Sequence, residues 1–187
     1  MQKRALCAAS IAAFAGLLST SVMAADGTIT ITGSVTDTTC SINGAASGSP
    51  ADVAVTLPSV PTSSLKSAGA TAGTSNLGDI KLALSGCSGA ATKAIARFEN
   101  GPTVDQASGN LMNQASASPA QNVQVRLLNA KTEPINVLTQ DNNDIGTDGA
   151  TISGGAATLN YFAQYYATGE AQPGNVSTSV QYTMQYQ

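Results

Sequence analysis

The sequence predicts an all-β fold, a sandwich of about seven short strands. Three observations carry this reading. From Val176 to Gln187 every even position except Thr178 is apolar or aromatic (Val176, Val180, Tyr182, Met184, Tyr186), and every odd position is polar. Near the N-terminus Ile29, Ile31, Gly33 and Val35 alternate with Thr28, Thr30, Thr32 and Ser34. Between these two stretches lie further period-2 runs separated by turn residues, with no long helical period. Alternation of this kind marks a strand with one buried face.

In chain order, Val53, Val55 and Leu57 alternate until Pro58 and Pro61 close the run. Residues 62–76 are small and polar, a loop with a brief helical turn. Ile80, Leu82 and Leu84 alternate up to Ser85-Gly86, just before Cys87. Ala94, Ala96 and Phe98 form the next run, ended by Asn100-Gly101-Pro102. Val123, Val125 and Leu127 follow, then Ile135 and Val137, then Leu159, Tyr161, Ala163 and Tyr165. A turn-rich stretch from Ala167 to Pro173 precedes the final strand. That strand runs to the last residue of the sequence, so its second edge is expected to stay open.

The first residues read as an export leader. Lys3 and Arg4 supply the positive region, Ala5 to Leu18 an apolar run of 14 residues, and Val22-Met23-Ala24 a small-residue cleavage box. The apolar run falls short of the about 20 residues that a spanning helix needs. Cleavage after Ala24 would leave 163 residues, exported and without a membrane span.

That cleavage removes Cys7 and leaves Cys40 and Cys87. An even count in an exported chain favours one disulfide over two separate thiols. Closing a loop of 47 positions is worth roughly 4 kcal/mol on chain-entropy arithmetic. No cofactor or metal is expected, because no CxxC pair and no histidine is present.

Composition argues against several partners. The mature chain carries six basic and eleven acidic residues, a net charge of −5, with no basic cluster to displace counterions from nucleic acid. Charged residues are 10% of the chain and apolar residues 42%, a balance suited to packed β-structure rather than disorder. Asp141-Asn142-Asn143-Asp144 with Gly146 and Asp148 has the spelling of a calcium loop, yet Ile145 and Ile152 occupy positions where oxygen ligands are required. It reads as an exposed polar turn. Asn175-Val176-Ser177 spells a glycosylation sequon but falls in a predicted strand.

Four features in register resemble the type 1 fimbrial major subunit family, the chaperone–usher pilins of Gram-negative bacteria. They are Gly33 seven positions before Cys40, the Cys40/Cys87 pair, Gly174 fourteenth from the end, and the penultimate Tyr186. The resemblance implies an immunoglobulin-like sandwich lacking its last strand, completed by a donor strand from a neighbouring subunit or from a chaperone. It implies residues 1–24 as signal peptide, 25–36 as donor-strand extension and 37–187 as pilin domain. Ile29, Ile31, Gly33 and Val35 would be the donor strand. Gly174, Val180, Tyr182, Met184 and Tyr186 would form the strand that meets a periplasmic chaperone and later lines the groove. Other copies of the chain, that chaperone and an outer-membrane usher are the implied partners, and the implied destination is a fimbria at the cell surface. The residues agree on physical grounds. An edge strand lined by Val180, Tyr182, Met184 and Tyr186 needs cover. Side chains two residues apart, about 6.6 Å along a strand, suit a groove of matching pockets, and Gly33 permits close backbone approach.

Three classes of function remain: a polymerising structural subunit, a minor tip or adaptor subunit with a binding role, and an exported enzyme. The length leaves no room for an added lectin domain. No histidine base, free thiol or nucleophile elbow supports catalysis, so no enzymatic activity is expected.

Overall fold

A computed structural model of the chain describes residues 29–33, 35, 37 and 39–187. The expected leader, the start of the extension, and Ser34, Thr36 and Thr38 lie outside the described residues. The chain divides into two units, Met1–Ser34 and Val35–Gln187. Of the first, residues 29–33 are described; they form no assigned strand, and Ile29 and Ile31 are 90% and 88% exposed.

Among its described residues the second unit carries ten strands. They are β1 (Thr39–Ile42), β2 (Thr71–Ala72), β3 (Ile80–Ser88), β4 (Lys93–Phe98), β5 (Leu111–Met112), β6 (Val123–Leu128), β7 (Pro134–Ile135), β8 (Ala150–Thr151), β9 (Ala157–Ala167) and β10 (Tyr182–Tyr186). A 3₁₀ turn spans Thr62–Ser64, and a single helical turn, α1, spans Ile145–Asp148. All the strand pairings are antiparallel. One sheet runs β1-β3-β9-β6-β5, with β2 also on β9 and β7 also on β6; the other runs β10-β4-β8.

The period-2 runs explain the core. Leu82 and Leu84 of β3, Val125 and Leu127 of β6, and Leu159, Tyr161 and Ala163 of β9 are all buried. Ala94, Ala96 and Phe98 of β4 belong to the same cluster. Phe98 meets Tyr161 edge-on across the two sheets, with ring centroids 5.0 Å apart and planes at 80°, a favoured aromatic geometry.

Several expected boundaries move. The run at Ile80 does not stop at Ser85-Gly86 but continues to Ser88. Gly86 adopts a φ of 59°, and the β1–β3 register shifts between Thr39↔Ser88 and Ser41↔Ser85. The glycine therefore allows a bulge inside the strand where an end was expected. Opposite that bulge Cys40 is disulfide-bonded to Cys87, with Cα atoms 4.1 Å apart.

The expected strand at Val53, Val55 and Leu57 joins no ladder. No main-chain group from Ala51 to Val60 bonds to other main chain among the described residues. Val53 and Leu57 still pack against the core, so the alternation is real and the pairing partner is what is missing. The final strand is likewise laddered only over Tyr182–Tyr186. The Asp141–Asp148 stretch is not simply an exposed turn. The Asp144 carboxylate caps α1 through the N–H groups of Gly146 and Thr147, and Asn143 is buried, donating to the Ala96 carbonyl at 3.0 Å.

Candidate functional site

The site is an open sheet edge. β10 pairs with β4 through the register Tyr182↔Phe98, Met184↔Ala96 and Tyr186↔Ala94. Gln187 and Lys93 exchange both main-chain bonds, at 3.0 and 2.8 Å, and Glu99 N–H donates to the Gln181 carbonyl at 2.8 Å. In an antiparallel ladder such bonded pairs recur every second residue. The odd residues of β10 thus face β4, and the main-chain groups of Tyr182, Met184 and Tyr186 point the other way. Among the described residues no strand pairs with that outer side.

The same even residues turn their side chains inward. Val176, Val180, Tyr182, Met184 and Tyr186 are half-buried and pack against the core. Alanines at 94 and 96 face Tyr186 and Met184, so large side chains on β10 sit over small ones on β4. Burial pushes the phenol pKa values of Tyr182 and Tyr186 up, with the Asp52 charge adding to the effect at Tyr182. Tyr182 also donates its hydroxyl to the Ala51 carbonyl at 2.7 Å, which ties β10 to the unladdered stretch 51–60. β10, open on one side, and residues 51–60, which bond to no other main chain among the described residues, therefore border the same apolar cluster.

Ahead of β10 the chain is held by side chains. Thr103 donates its hydroxyl to the Ser179 carbonyl at 2.6 Å, and Asn113 accepts from the Ser177 N–H at 3.0 Å. Gly174 lies where this segment crosses residues 118–120. A methyl group there would collide with the main chain of Ser118, Pro119 and Ala120. Asn175 completes the crossing, its N–H donating to Ser118 and its carbonyl accepting from Ala120 at 2.8 and 2.9 Å. Gly174 is thus a close-approach glycine that seats the segment leading into β10.

Of the residues singled out in the sequence, Val180, Tyr182, Met184 and Tyr186 come together on one edge. Ile29, Ile31 and Val35 are strongly exposed, and a Cβ placed on Gly33 would meet nothing within 4 Å. What the alternation did not single out is the second border, residues 51–60, because its pattern looks like that of an ordinary paired strand. Among the described residues no cluster of acidic, cysteine or histidine side chains could hold a metal ion, and no helix is long and apolar enough to cross a membrane.

An all-β unit with an unpaired edge and a β1–β3 disulfide matches a known group of proteins. The family described as "Type-1 fimbrial protein, A" matches residues 57–187. The chain belongs to this family. It is 43% identical over 172 residues to the major fimbrial subunit SMF-1 of Stenotrophomonas maltophilia, covering 87% of this chain and 94% of that protein. It is 39% identical over 173 residues to the F17 fimbrial protein of Escherichia coli, covering 90% and 92%. In fold it resembles a subunit of a solved chaperone–usher pilus, with a TM-score of 0.55 and 22% identity over 87% of this chain and 96% of that one. The type 1 fimbrial chain described here is accordingly a structural fimbrial subunit with an incomplete immunoglobulin-like fold.

Proposed function

We propose that this subunit polymerises by donor-strand exchange, residues 25–36 of one copy entering the open edge of the next. The observation that carries the proposal is the outward-facing main chain of Tyr182, Met184 and Tyr186, bordering an apolar cluster that β10 only half covers. Ile29, Ile31 and Val35 supply the matching apolar face and are 90%, 88% and 102% exposed. Strand addition of this kind takes affinity from main-chain bonds and register from alternate side-chain pockets; pilin donor-strand complementation is among the general examples of that mode.

In this reading residues 1–24 direct export and are removed, and residues 37–187 form the pilin domain. A periplasmic chaperone first covers β10, an outer-membrane usher exchanges it for the next subunit's extension, and the homopolymer serves attachment at the cell surface. The role is structural and requires no cofactor.

Deleting residues 25–36 tests the proposal. The shortened subunit should still co-purify with its chaperone and should form no fibres. Normal, SDS-resistant fibres from that variant would overturn it. A second deletion, of residues 181–187, should abolish chaperone capture and leave the subunit degraded; a stable folded monomer would sink the missing-strand reading.

A further inference from the structure

Thr178 is the one polar residue in the inward-facing series from Val176 to Tyr186. Its hydroxyl oxygen is buried and has no hydrogen-bond partner among the described residues. Native structures leave few such groups, and an unmet buried hydroxyl costs free energy that an apolar replacement would not. The donor series has one interruption as well: Gly33, between Ile31 and Val35.

We propose that Thr178 is a register-setting residue of the groove, its hydroxyl donating to a main-chain carbonyl of the incoming strand beside Gly33. The inference rests on the strand-exchange reading above and adds a specificity element to it. An antiparallel alignment that places Gly33 beside Thr178 also places Val35 beside Val176, Ile31 beside Val180 and Ile29 beside Tyr182. A parallel alignment through the same pair sets Asp37 against Tyr182 and Ile29 against Gly174, wasting an isoleucine and burying a carboxylate. An antiparallel slip of two residues in either direction lays Val35 or Ile31 on the hydroxyl, which then stays unpaired under a branched apolar side chain. With glycine opposite, the donor places no side chain of its own between the hydroxyl and its main chain, whose carbonyl oxygens keep a second lone pair after ladder pairing. The single polar group thereby penalises the wrong registers while satisfying itself only in the right one.

The experiment uses fibres assembled from the full chain carrying Thr178→Val or Thr178→Ser, with subunit release timed in denaturant. The parent and Thr178→Ser should release at similar rates. Thr178→Val, though more apolar and nearly the same shape, should release about fivefold faster, the factor expected for one net hydrogen bond; release so fast that no fibre accumulates counts in the same direction. An engineered pair, Val35→Cys on one subunit and Val176→Cys on the next, should cross-link in the parent background and less completely with Thr178→Val. Release from Thr178→Val as slow as from the parent, or Thr178→Ser releasing as fast as Thr178→Val, would refute the role of the hydroxyl and leave strand exchange standing. Absence of any cross-link from position 35 to positions 176 or 180 in the parent would instead overturn the strand-exchange reading beneath it.

Discussion

The Tyr161 hydroxyl accepts a hydrogen bond from the Ala96 main-chain N–H at 3.1 Å, reaching from one sheet to the edge of the other. β8 pairs with β4 only at Lys93 and Ala94, so beyond that point no strand among the described residues bonds the outer side of β4. Side chains take over the task. Tyr161 meets the Ala96 N–H, Asn143 meets the Ala96 carbonyl, and Gln140 donates to the Phe98 carbonyl at 3.1 Å. β4 is thus braced on the side away from β10, which leaves the open edge on β10 itself.

Tyr161→Phe removes this acceptor while keeping the ring against Phe98. Ala96 is fully buried, so its N–H would lose its partner where no water replaces it. The expected loss is about 1–3 kcal/mol, read as a lowered denaturant midpoint with unchanged slope. A midpoint within error of the parent would show that the bond contributes nothing.

The same residue sets an alkaline limit. Burial pushes the Tyr161 phenol up to about 12 from its ordinary value of 10.0. The folded state therefore holds a proton that the unfolded state gives up earlier. This stability contribution is complete below pH 10 and falls as pH rises from about 10 towards 12, by roughly 2–3 kcal/mol in all. Tyr161→Phe should flatten that decline; an identical decline in the variant would assign it to other groups.

Gly174→Ala should destabilise the subunit by more than the few tenths of a kcal/mol typical of a surface change, because the added methyl meets main chain at Ser118–Ala120 rather than a movable side chain. Thermal unfolding of the purified subunit would show it as a lower midpoint. Binding of chaperone should weaken in parallel, since the crossing seats the segment that leads into β10.

Intact mass should rise by two hydrogen atoms when the Cys40–Cys87 bridge is reduced. Cys40→Ser should lower the periplasmic yield of folded subunit, consistent with roughly 4 kcal/mol of loop-closure stabilisation. Unchanged yield would mean that the sheet holds β1 without the bridge.

At the junction, Ile31→Ala should weaken fibres by about 1.5–3 kcal/mol, the value of one buried isoleucine. Gly33→Leu should do worse by overpacking the groove, yet leave the free subunit unaffected because the space around Gly33 is open. Equal fibre stability for both variants and the parent would contradict insertion of this face.

The strands that carry the core were legible because their alternation is read directly as burial: Val125 and Leu127, Leu159 and Tyr161, Ala94 and Ala96. The short strands were not. β2, β5 and β8 span two residues each, too few for a period to show, and β1 hides in a polar stretch whose one buried residue is Cys40. Gly86 read as a terminator because turn chemistry and bulge chemistry share the same residue. Residues 51–60 illustrate the opposite case, a strand-like pattern that finds no ladder, since alternation reports a buried face and says nothing of a partner on the edge. Asn143 was misplaced because a polar run suggests solvent, whereas this amide answers a main-chain carbonyl inside the fold.

β1 is an edge strand of four residues, antiparallel to β3, and its first pairing is Thr39↔Ser88. A pull on the chain ahead of Thr39 would load that pairing first and open the ladder one rung at a time, the weak way to break a sheet. The covalent link at Cys40 lies one residue past the point of attack. Tension entering from the N-terminal side is passed at once to β3, which is held on its other side by β9. In a filament stretched by flow, the bridge would act as a stop against unzipping, moving the load from the margin of the sheet to its interior.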